Sequence, residues 1–160
     1  MDAYFAGGCF WCITPMFKRF AGVKSITCGY SGGDEVNPTY EDVKKQKTGH
    51  RETIKVQYDE DKISFSKLLD IFFANVDLYD GGGQYIDRGH SYTLAVYYVN
   101  DYQKRVTEEK IATYKEKVYV SIEKFKSFYE AEEYHQDYYL KNPKAFEKEL
   151  IESGRKDSKQ

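Results

Sequence analysis

Short stretches in which apolar side chains alternate with polar ones, or run together, predict the β-strands of this chain. Five such stretches are separated by turns or by helical segments: residues 3–6, 23–30, 52–59, 94–99 and 118–122. Along the third stretch, alternation places two sets of side chains on opposite faces. Glu52 is in phase with the apolar set, which contains Ile54, Val56 and Tyr58.

Helical spacing of apolar side chains predicts a first helix that contains Met16 and Phe20. Pro15 leaves two starting points open, because proline is best tolerated in the first turn of a helix. Either Thr14 caps the helix and Pro15 is its first residue, or a kinked turn begins near Phe10. In both cases the two cysteines at this end of the chain lie close to a helix start.

Polar capping residues mark three further helices. Thr39 opens a capping box before a short helix, and Ser64 precedes a strongly amphipathic helix. Asn100 caps a charged helix predicted over residues 101–117. Residues 75–91 form a long loop, and a loop of that length in a compact domain is usually functional or mobile.

The C-terminal part of the chain is predicted to be helical. Ser127 with Glu130 favours a cap for a helix over residues 130–141, and a last helix follows Pro143. The tail from Ser153 is polar and is expected to fray.

The order of the elements is β-α-β-β-α-β with additional C-terminal helices. We expect an α+β fold of two layers, in which a mixed sheet carries helices largely on one face. No repeat or linker divides the 160 residues, so a single domain is expected.

The charge balance does not indicate a nucleic-acid or membrane-surface protein, because the formal net charge is −2. No apolar run is long enough to span a bilayer, and Met1–Ala3 lacks the basic and apolar regions of a signal peptide. We therefore expect a cytoplasmic protein that binds neither nucleic acid nor membranes.

The chain has three cysteines, and Cys9 and Cys12 form a C-x-x-C pair. An odd number argues against a structural disulfide framework and favours redox or metal chemistry. Zinc is the weaker alternative, since a structural site needs about four ligands and no second pair of this kind occurs.

The segment before Cys9 favours a reactive thiol there. Gly7 and Gly8 allow a tight turn between the first strand and the first helix. Backbone N–H groups at a helix start favour a thiolate, which is the nucleophilic form of cysteine. The alternative is a strand end at which Phe10 and Trp11 fold back into the core.

Glu52 is the candidate acid, because it shares the apolar face of its strand. Burial there would favour the neutral carboxyl and raise its pKa, which suits proton donation near neutral pH. The alternative is an exposed glutamate at the end of a strand.

The segment Gly7–Cys12 resembles the signature of the A-type peptide methionine sulfoxide reductases, which usually reads Gly-Cys-Phe-Trp-Gly, with Cys12 in place of the last glycine. Four further motifs of that family follow in order, and together they are far more specific than any one motif: Gly29–Gly33, Asn37–Tyr40, Thr48–Glu52 and Phe128–Gln136. The resemblance extends over nearly the whole chain.

The resemblance implies a ferredoxin-like core and the thiol-dependent reduction of methionine S-sulfoxide, free or in proteins. In such a reaction a soft nucleophile attacks sulfur, an acid protonates the departing oxygen, and an apolar pocket accepts the methyl group. Cys9 and Glu52 fit the first two roles. Phe10 and Trp11 fit the third as aromatic walls, although core packing would also explain them.

The family motifs also select side chains that composition alone cannot, since the chain has 16 tyrosines. Tyr40 and Tyr92 become the hydrogen-bond donors to the sulfoxide oxygen, because a phenol donates without ionising at neutral pH. Asp87 becomes the supporting carboxylate of the pocket. Ser91 departs from the family's usual glutamine, and residues 75–78 depart from its common His-Asp-Pro-Thr, so the resemblance says less about the outer pocket.

After attack, Cys9 would be a sulfenic acid, which condenses readily with a nearby thiol. Cys12 is one helical turn away and is the predicted resolving residue. Cys28 shares a strand face with Ile26 and is expected to be buried, and a one-cysteine cycle stays open. A dithiol donor such as thioredoxin, or glutaredoxin with glutathione, would complete the cycle, and no flavin, nicotinamide or metal is implied.

Two other functions stay open at this point. One is a general thiol–disulfide oxidoreductase that uses the C-x-x-C pair, and the other is a non-enzymatic zinc or peptide-binding module. Glu52 and the two tyrosines would have no role in either. The reductase scheme needs neither His50 nor His135. We interpret His135 as a packing and hydrogen-bonding residue near the site and His50 as a more distant support.

Overall fold

The computed structural model describes residues 1–153, so the polar tail predicted from Ser153 lies outside the described residues except for its first residue. Within this part of the chain the strands are β1 Asp2–Gly7, β2 Val23–Ser31, β3 Arg51–Tyr58, β4 Gly83–Gln84, β5 Asp87–Arg88, β6 Leu94–Tyr98, β7 Val120–Lys124 and β8 Phe128–Glu130. The helices are α1 Phe10–Lys18, α2 Tyr40–Lys44, α3 Phe65–Ala74, α4 Asp101–Ile111, α5 Tyr138–Lys141 and α6 Pro143–Ser153. None of the helices among these residues has the length and apolar character needed to cross a membrane.

Six of the strands form one mixed sheet in the order β7-β6-β1-β3-β2-β8. Neighbouring strands are antiparallel except for β6 and β7, which are parallel. The two central strands are β1 and β3, and in β1 Phe5 pairs with Ile54 on one side and with Val96 on the other. The remaining strands, β4 and β5, form a separate hairpin. The predicted α+β fold with a mixed sheet is confirmed.

The alternation along β1 divides the core between the two faces of the sheet. Phe5 faces a cluster that contains buried side chains of α1 and α3, including Phe17 and Phe72. Tyr4 faces the opposite side, where it packs in a smaller cluster with Tyr97 and partly buried aromatic rings. Each large apolar side chain buried in this way stabilises the fold by about 1.5–3 kcal/mol. Because the cluster on the helical face contains more of these side chains, that face contributes most of the stabilisation.

Helix starts follow the capping residues of the sequence. The side-chain oxygens of Thr39, Ser64 and Asn100 each accept the backbone N–H three residues further on, at 3.2, 3.0 and 2.9 Å. These bonds satisfy N–H groups that have no partner within a helix. The three predicted caps are confirmed.

Several predicted boundaries are wrong. Helix α1 starts at Phe10 and contains Pro15 in its interior, so Thr14 is not its cap and the earlier of the two starting points holds. Helix α4 ends at Ile111 rather than near residue 117, and β7 lies two residues beyond the predicted strand.

The cap predicted at Ser127 is also wrong. Phe128–Glu130 form β8, which pairs with the outer edge of β2. A strand edge offers unpaired N–H and C=O groups, and ladder hydrogen bonds to that edge outweigh the local capping tendency. The predicted helix over residues 130–141 is reduced to the 3₁₀ turn Glu133–His135 and the short helix α5.

Candidate active site

Two glycines fix the turn that carries Cys9 from β1 into α1. Gly8 has φ 86°, which glycine adopts without the penalty of a Cβ. A Cβ on Gly7 would lie 2.9 Å from the Cε1 atom of Phe72, so glycine lets α3 pack against the turn. Cys9 is the N-cap of α1 and is half-buried, which places its sulfur beside the open end of the helix.

The carboxyl of Glu52 lies beside this turn. Its side chain is only 1% exposed, and its Oε1 atom accepts the backbone N–H of Phe10 at 3.2 Å. Its Oε2 atom is buried and forms no hydrogen bond of ordinary geometry with the described residues, although the phenol of Tyr92 is close enough to act on the carboxyl. Of the two alternatives that the strand phase left open, a buried carboxyl and an exposed glutamate at the strand end, the structure shows the buried one.

Burial raises the pKa of Glu52 to about 8. The hydrogen bond from the N–H of Phe10 lowers this pKa, and so does the interaction with the phenol of Tyr92. The negative charge of Asp87 raises it. Glu52 therefore carries a proton at neutral pH, next to the turn that holds Cys9.

The thiol of Cys9 differs from its prediction. A side-chain hydrogen bond with Cys12 raises the pKa of Cys9 well above its usual value, and burial and the charges of Glu52 and Asp87 act in the same direction. The helix start favours the thiolate, but these nearer effects oppose it. The expectation of a favoured thiolate is therefore wrong for the site without substrate, where the sulfur keeps its proton.

Three aromatic rings line one side of the turn. Phe10 is fully buried, and Trp11 is half-buried and stacks on Tyr138 with ring centroids 4.1 Å apart. Tyr40, the first residue of α2, stacks with both Phe10 and Trp11 at centroid distances of 6.4 and 6.1 Å. The structure thus brings three of the predicted site residues into one wall, which can hold a small apolar group.

His135 packs against all three rings of this wall. The indole N–H of Trp11 donates to its Nδ1 atom at 3.0 Å, and the imidazole lies 4.3 Å from the ring of Tyr40. The neighbouring Gln136 exchanges two hydrogen bonds with the backbone of Cys28, which fastens this segment to β2. The sequence interpretation of His135 as a packing and hydrogen-bonding residue is confirmed. The sequence did not predict that Trp11 is its hydrogen-bond partner.

Tyr92 and Asp87 complete the site from the other side. Tyr92 is buried at the end of the 3₁₀ turn His90–Tyr92, and burial, followed by the charge of Glu52, raises the pKa of its phenol. It therefore stays a neutral donor. Asp87, in β5, is half-buried and acts electrostatically on Cys9, Glu52 and Tyr92.

The two remaining cysteines are both buried. Cys12 is 2% exposed, lies one turn along α1, and its side chain is hydrogen-bonded with Cys9. Cys28 lies under α1, where its sulfur is 3.5 Å from the hydroxyl of Thr14, and burial raises its pKa to about 12. Cys28 thus contacts the far side of the helix, whereas Cys12 interacts with the candidate nucleophile.

His50 lies away from this wall. Its Nδ1 atom accepts the backbone N–H of Gly33 at 3.2 Å, and its Nε2 atom lies 2.8 Å from the carbonyl oxygen of Glu35. It holds the turn after β2 and contacts none of the predicted site residues through these bonds.

Comparison with known proteins identifies the family of this chain. A model of the family "Peptide methionine sulfoxide reductase" matches residues 1–160. The peptide methionine sulfoxide reductase MsrA of Bacillus velezensis is 42% identical over 159 residues, which cover 96% of this chain and 90% of that protein. MsrA 2 of Staphylococcus aureus is 44% identical over 160 residues, with the same coverage.

A solved structure agrees with these relatives. The crystal structure of Mxr1 from Saccharomyces cerevisiae in its reduced form is 29% identical and superposes with a TM-score of 0.83, covering 90% of this chain and 86% of that one. The resemblance predicted from the five motifs is confirmed. This chain belongs to the peptide methionine sulfoxide reductase family, as an oxidoreductase of the MsrA type.

Proposed function

We propose that this protein reduces methionine S-sulfoxide, free or within polypeptides, by nucleophilic attack of Cys9 with Glu52 as the acid. Family membership supplies the substrate class. One observation carries the mechanism: a buried carboxyl with a pKa of about 8 accepts a hydrogen bond from the first residue of the helix that Cys9 caps.

The substrate would bind with its polar and apolar parts separated. The methyl group lies against the half-buried ring of Trp11, with the fully buried ring of Phe10 packed beside it. The sulfoxide oxygen accepts hydrogen bonds from the phenols of Tyr40 and Tyr92, both able to donate without ionising. Asp87, at the rim, accepts an N–H group of the bound amino acid or peptide.

The chemical step transfers one oxygen atom and two electrons. The sulfur of Cys9 attacks the sulfoxide, the S–O bond of the substrate breaks, and Cys9 becomes a sulfenic acid while methionine leaves as the sulfide. The oxygen ends up bonded to the sulfur of Cys9 and carries one proton, as S–OH. Glu52 donates a proton to the charge that develops on oxygen and regains one from the thiol, so its protonation state is unchanged overall. Substrate binding displaces water and brings the polarised S–O group to the thiol. This polarised group makes the sulfoxide sulfur open to attack by Cys9, whose thiol is protonated in the site without substrate.

Recycling would use the C-x-x-C pair. The thiol of Cys12 condenses with the sulfenic acid of Cys9, which forms a disulfide and releases water. The hydrogen bond between the two side chains supports Cys12 over Cys28 for this role. A dithiol donor then reduces the disulfide. Yeast Mxr1 has been crystallised in complex with Trx2, and we propose thioredoxin as the donor for this protein.

The test uses the separate sulfoxide epimers with dithiothreitol or thioredoxin as reductant. The wild-type protein should reduce the S epimer only, and Cys9→Ser should abolish the reaction. Cys12→Ser should reduce one equivalent of sulfoxide and then stop with thioredoxin. Equal turnover of both epimers, or residual turnover by Cys9→Ser, would refute the proposal.

The alternative function, a general thiol–disulfide oxidoreductase, is distinguished when insulin is added as a further substrate. Such an enzyme would reduce insulin disulfides and leave both sulfoxide epimers unchanged. It would also be insensitive to Glu52→Gln, because disulfide exchange needs no buried acid at this position.

We also propose that β1, α1, β2, β3, α3 and β6 form a ferredoxin-like unit within one domain. Two features support this assignment. The strand order β6-β1-β3-β2 is antiparallel throughout, and α1 and α3 pack in the same cluster on one face of the sheet.

A further inference from the structure

The hairpin of β4 and β5 ends in two apolar residues beside the active site. Ile86 is 64% exposed and Tyr85 is 39% exposed. Asp87 follows directly and acts electrostatically on Cys9 and Glu52. Tyr85 and Ile86 therefore directly precede, in the chain, a side chain that acts on the two residues at which the sulfoxide would react.

This hairpin is held more firmly than its length predicts. Strands of two residues have little stability of their own. Gln84 is buried, and its side chain accepts the N–H of Asp77 at 2.8 Å and donates to the carbonyl oxygen of that residue at 2.9 Å. Arg88 forms two hydrogen bonds with Asp80, at 2.6 and 2.7 Å. The tip is thus presented by a fixed base rather than by a flexible loop.

The backbone at the tip has an unfavourable conformation for its side chain. Tyr85 has φ 55°, a region that glycine occupies at no steric cost and that tyrosine rarely adopts. Exposed apolar rings and branched side chains also cost solubility at a surface. A glycine would suit the turn better, so the turn itself does not require tyrosine.

We infer that Tyr85 and Ile86 form a docking surface for the polypeptide that flanks an oxidised methionine, and that they favour apolar neighbours of the sulfoxide. This inference rests on the proposed function, because it places the sulfoxide at Cys9.

Geometry supports this occupant. Consecutive Cα atoms are about 3.8 Å apart, so Ile86 is one step from Asp87 at the rim. An extended substrate advances about 3.3 Å per residue, which is close to that step, so in the proposed arrangement a side chain one or two positions from the sulfoxide meets the tip. The carboxylate of Asp87 would bind a backbone N–H of that segment while the tip covers its apolar side chain. Free methionine sulfoxide has no such neighbour.

The test compares three substrates with dithiothreitol as reductant: free L-methionine S-sulfoxide, acetyl-Gly-Leu-Met(O)-Leu-Gly-amide and acetyl-Gly-Ser-Met(O)-Ser-Gly-amide. Ile86→Ser should lower kcat/KM for the leucine peptide about fivefold, as expected when roughly half of an isoleucine loses its apolar contact. The free amino acid should be unaffected, and the serine peptide nearly so.

Two variants separate docking from stability. Tyr85→Gly should also lower kcat/KM for the leucine peptide, yet its thermal midpoint should not fall, because glycine relieves the positive φ. Val99→Ser is the matched control, since Val99 is 40% exposed and directly follows the end of β6. An equal loss on all three substrates, or no loss beyond that of the control, would overturn the docking surface. Failure of the wild-type protein on every substrate would instead refute the proposed function.

Discussion

The indole N–H of Trp11 donates to the Nδ1 atom of His135 at 3.0 Å, although the two residues are 124 positions apart. This bond requires an unprotonated Nδ1, so the neutral imidazole carries its proton on Nε2. That Nε2 atom is buried without a hydrogen-bond partner among the described residues. Burial lowers the pKa of His135, which keeps the acceptor available at neutral pH. His135 therefore holds one aromatic wall of the pocket in place.

Replacing His135 should test this contact. His135→Phe retains a ring but removes the acceptor, so the indole N–H would turn toward water and KM for the sulfoxide should rise about fivefold, the effect of one net hydrogen bond. His135→Asn offers an oxygen near the position of Nδ1 and should retain most of the affinity. Trp11 is the single tryptophan of the chain, so its emission maximum reports the change directly.

The fluorescence readout distinguishes positioning from general destabilisation. A red shift in the folded His135→Phe protein, with alkylation of Cys9 unchanged, supports a positioning role for His135. An unshifted spectrum together with unchanged KM would show that Trp11 keeps its place without this bond.

The raised pKa of Glu52 predicts a particular dependence of stability on pH. The folded state holds the proton up to about pH 8, whereas the unfolded carboxyl releases it near its ordinary value of 4.5. Between these values the folded state binds more protons, so the free energy of unfolding should fall as pH rises, by about 1.4 kcal/mol per pH unit from this group. Glu52→Gln removes this contribution.

Denaturant unfolding at several pH values provides the measurement. The free energy of unfolding of Glu52→Gln, relative to that of the wild-type protein, should increase between pH 5 and pH 8 and then level off. Glu60→Gln, on the exposed segment after β3, is a control for the loss of one carboxylate. Parallel curves for Glu52→Gln and the wild-type protein would contradict the buried, protonated carboxyl.

The reactivity of Cys9 should depend on Cys12. A hydrogen bond between the two side chains is the largest effect that raises the pKa of Cys9, so Cys12→Ala should lower this pKa. The rate of alkylation by iodoacetamide, followed against pH, gives the value. Cys28→Ala is the matched control, because Cys28 contacts Thr14 on the other side of α1. A pKa of Cys9 that is unchanged or higher in Cys12→Ala would show that the pair is not coupled in this way.

Local chemistry predicted much of this fold. Thr39, Ser64 and Asn100 cap their helices because a side-chain oxygen and a backbone N–H three residues apart meet wherever a helix begins. The period-two pattern also placed Glu52 on the buried face of its strand correctly. Both results depend on interactions within a few residues.

Other predictions failed because of interactions between distant segments. Ser127 and Glu130 have the chemistry of a cap, yet this segment pairs with the edge of β2, about a hundred residues earlier in the sequence. The pKa of Cys9 depends on Cys12 and on carboxyl groups that only the fold brings near. The bond between Trp11 and His135 belongs to the same class, because no local pattern pairs the first helix with the C-terminal segment.

A partly buried ion pair on the opposite face of the sheet should support the fold without serving the chemistry. The Nη1 atom of Arg51 lies 2.6 Å from the Oε2 atom of Glu123 and 3.0 Å from the phenol oxygen of Tyr97. The side chain of Arg51 is 9% exposed and that of Glu123 is 37% exposed, so the pair is only partly shielded from solvent. Removing one partner of a fully buried pair costs about 3–5 kcal/mol, and we expect about 2 kcal/mol for Glu123→Ala.

Urea unfolding should measure this loss against Glu109→Ala, which removes an exposed i,i+4 pair with Arg105 and should cost less than about 0.5 kcal/mol. The difference between the two variants should persist in high salt, because a partly buried pair is screened less than an exposed one. Below its unfolding transition, Glu123→Ala should keep the wild-type kcat, since Arg51 and Glu52 point to opposite faces of β3. A loss of kcat in the folded variant would mean that the back of the sheet positions the acid as well as supporting it.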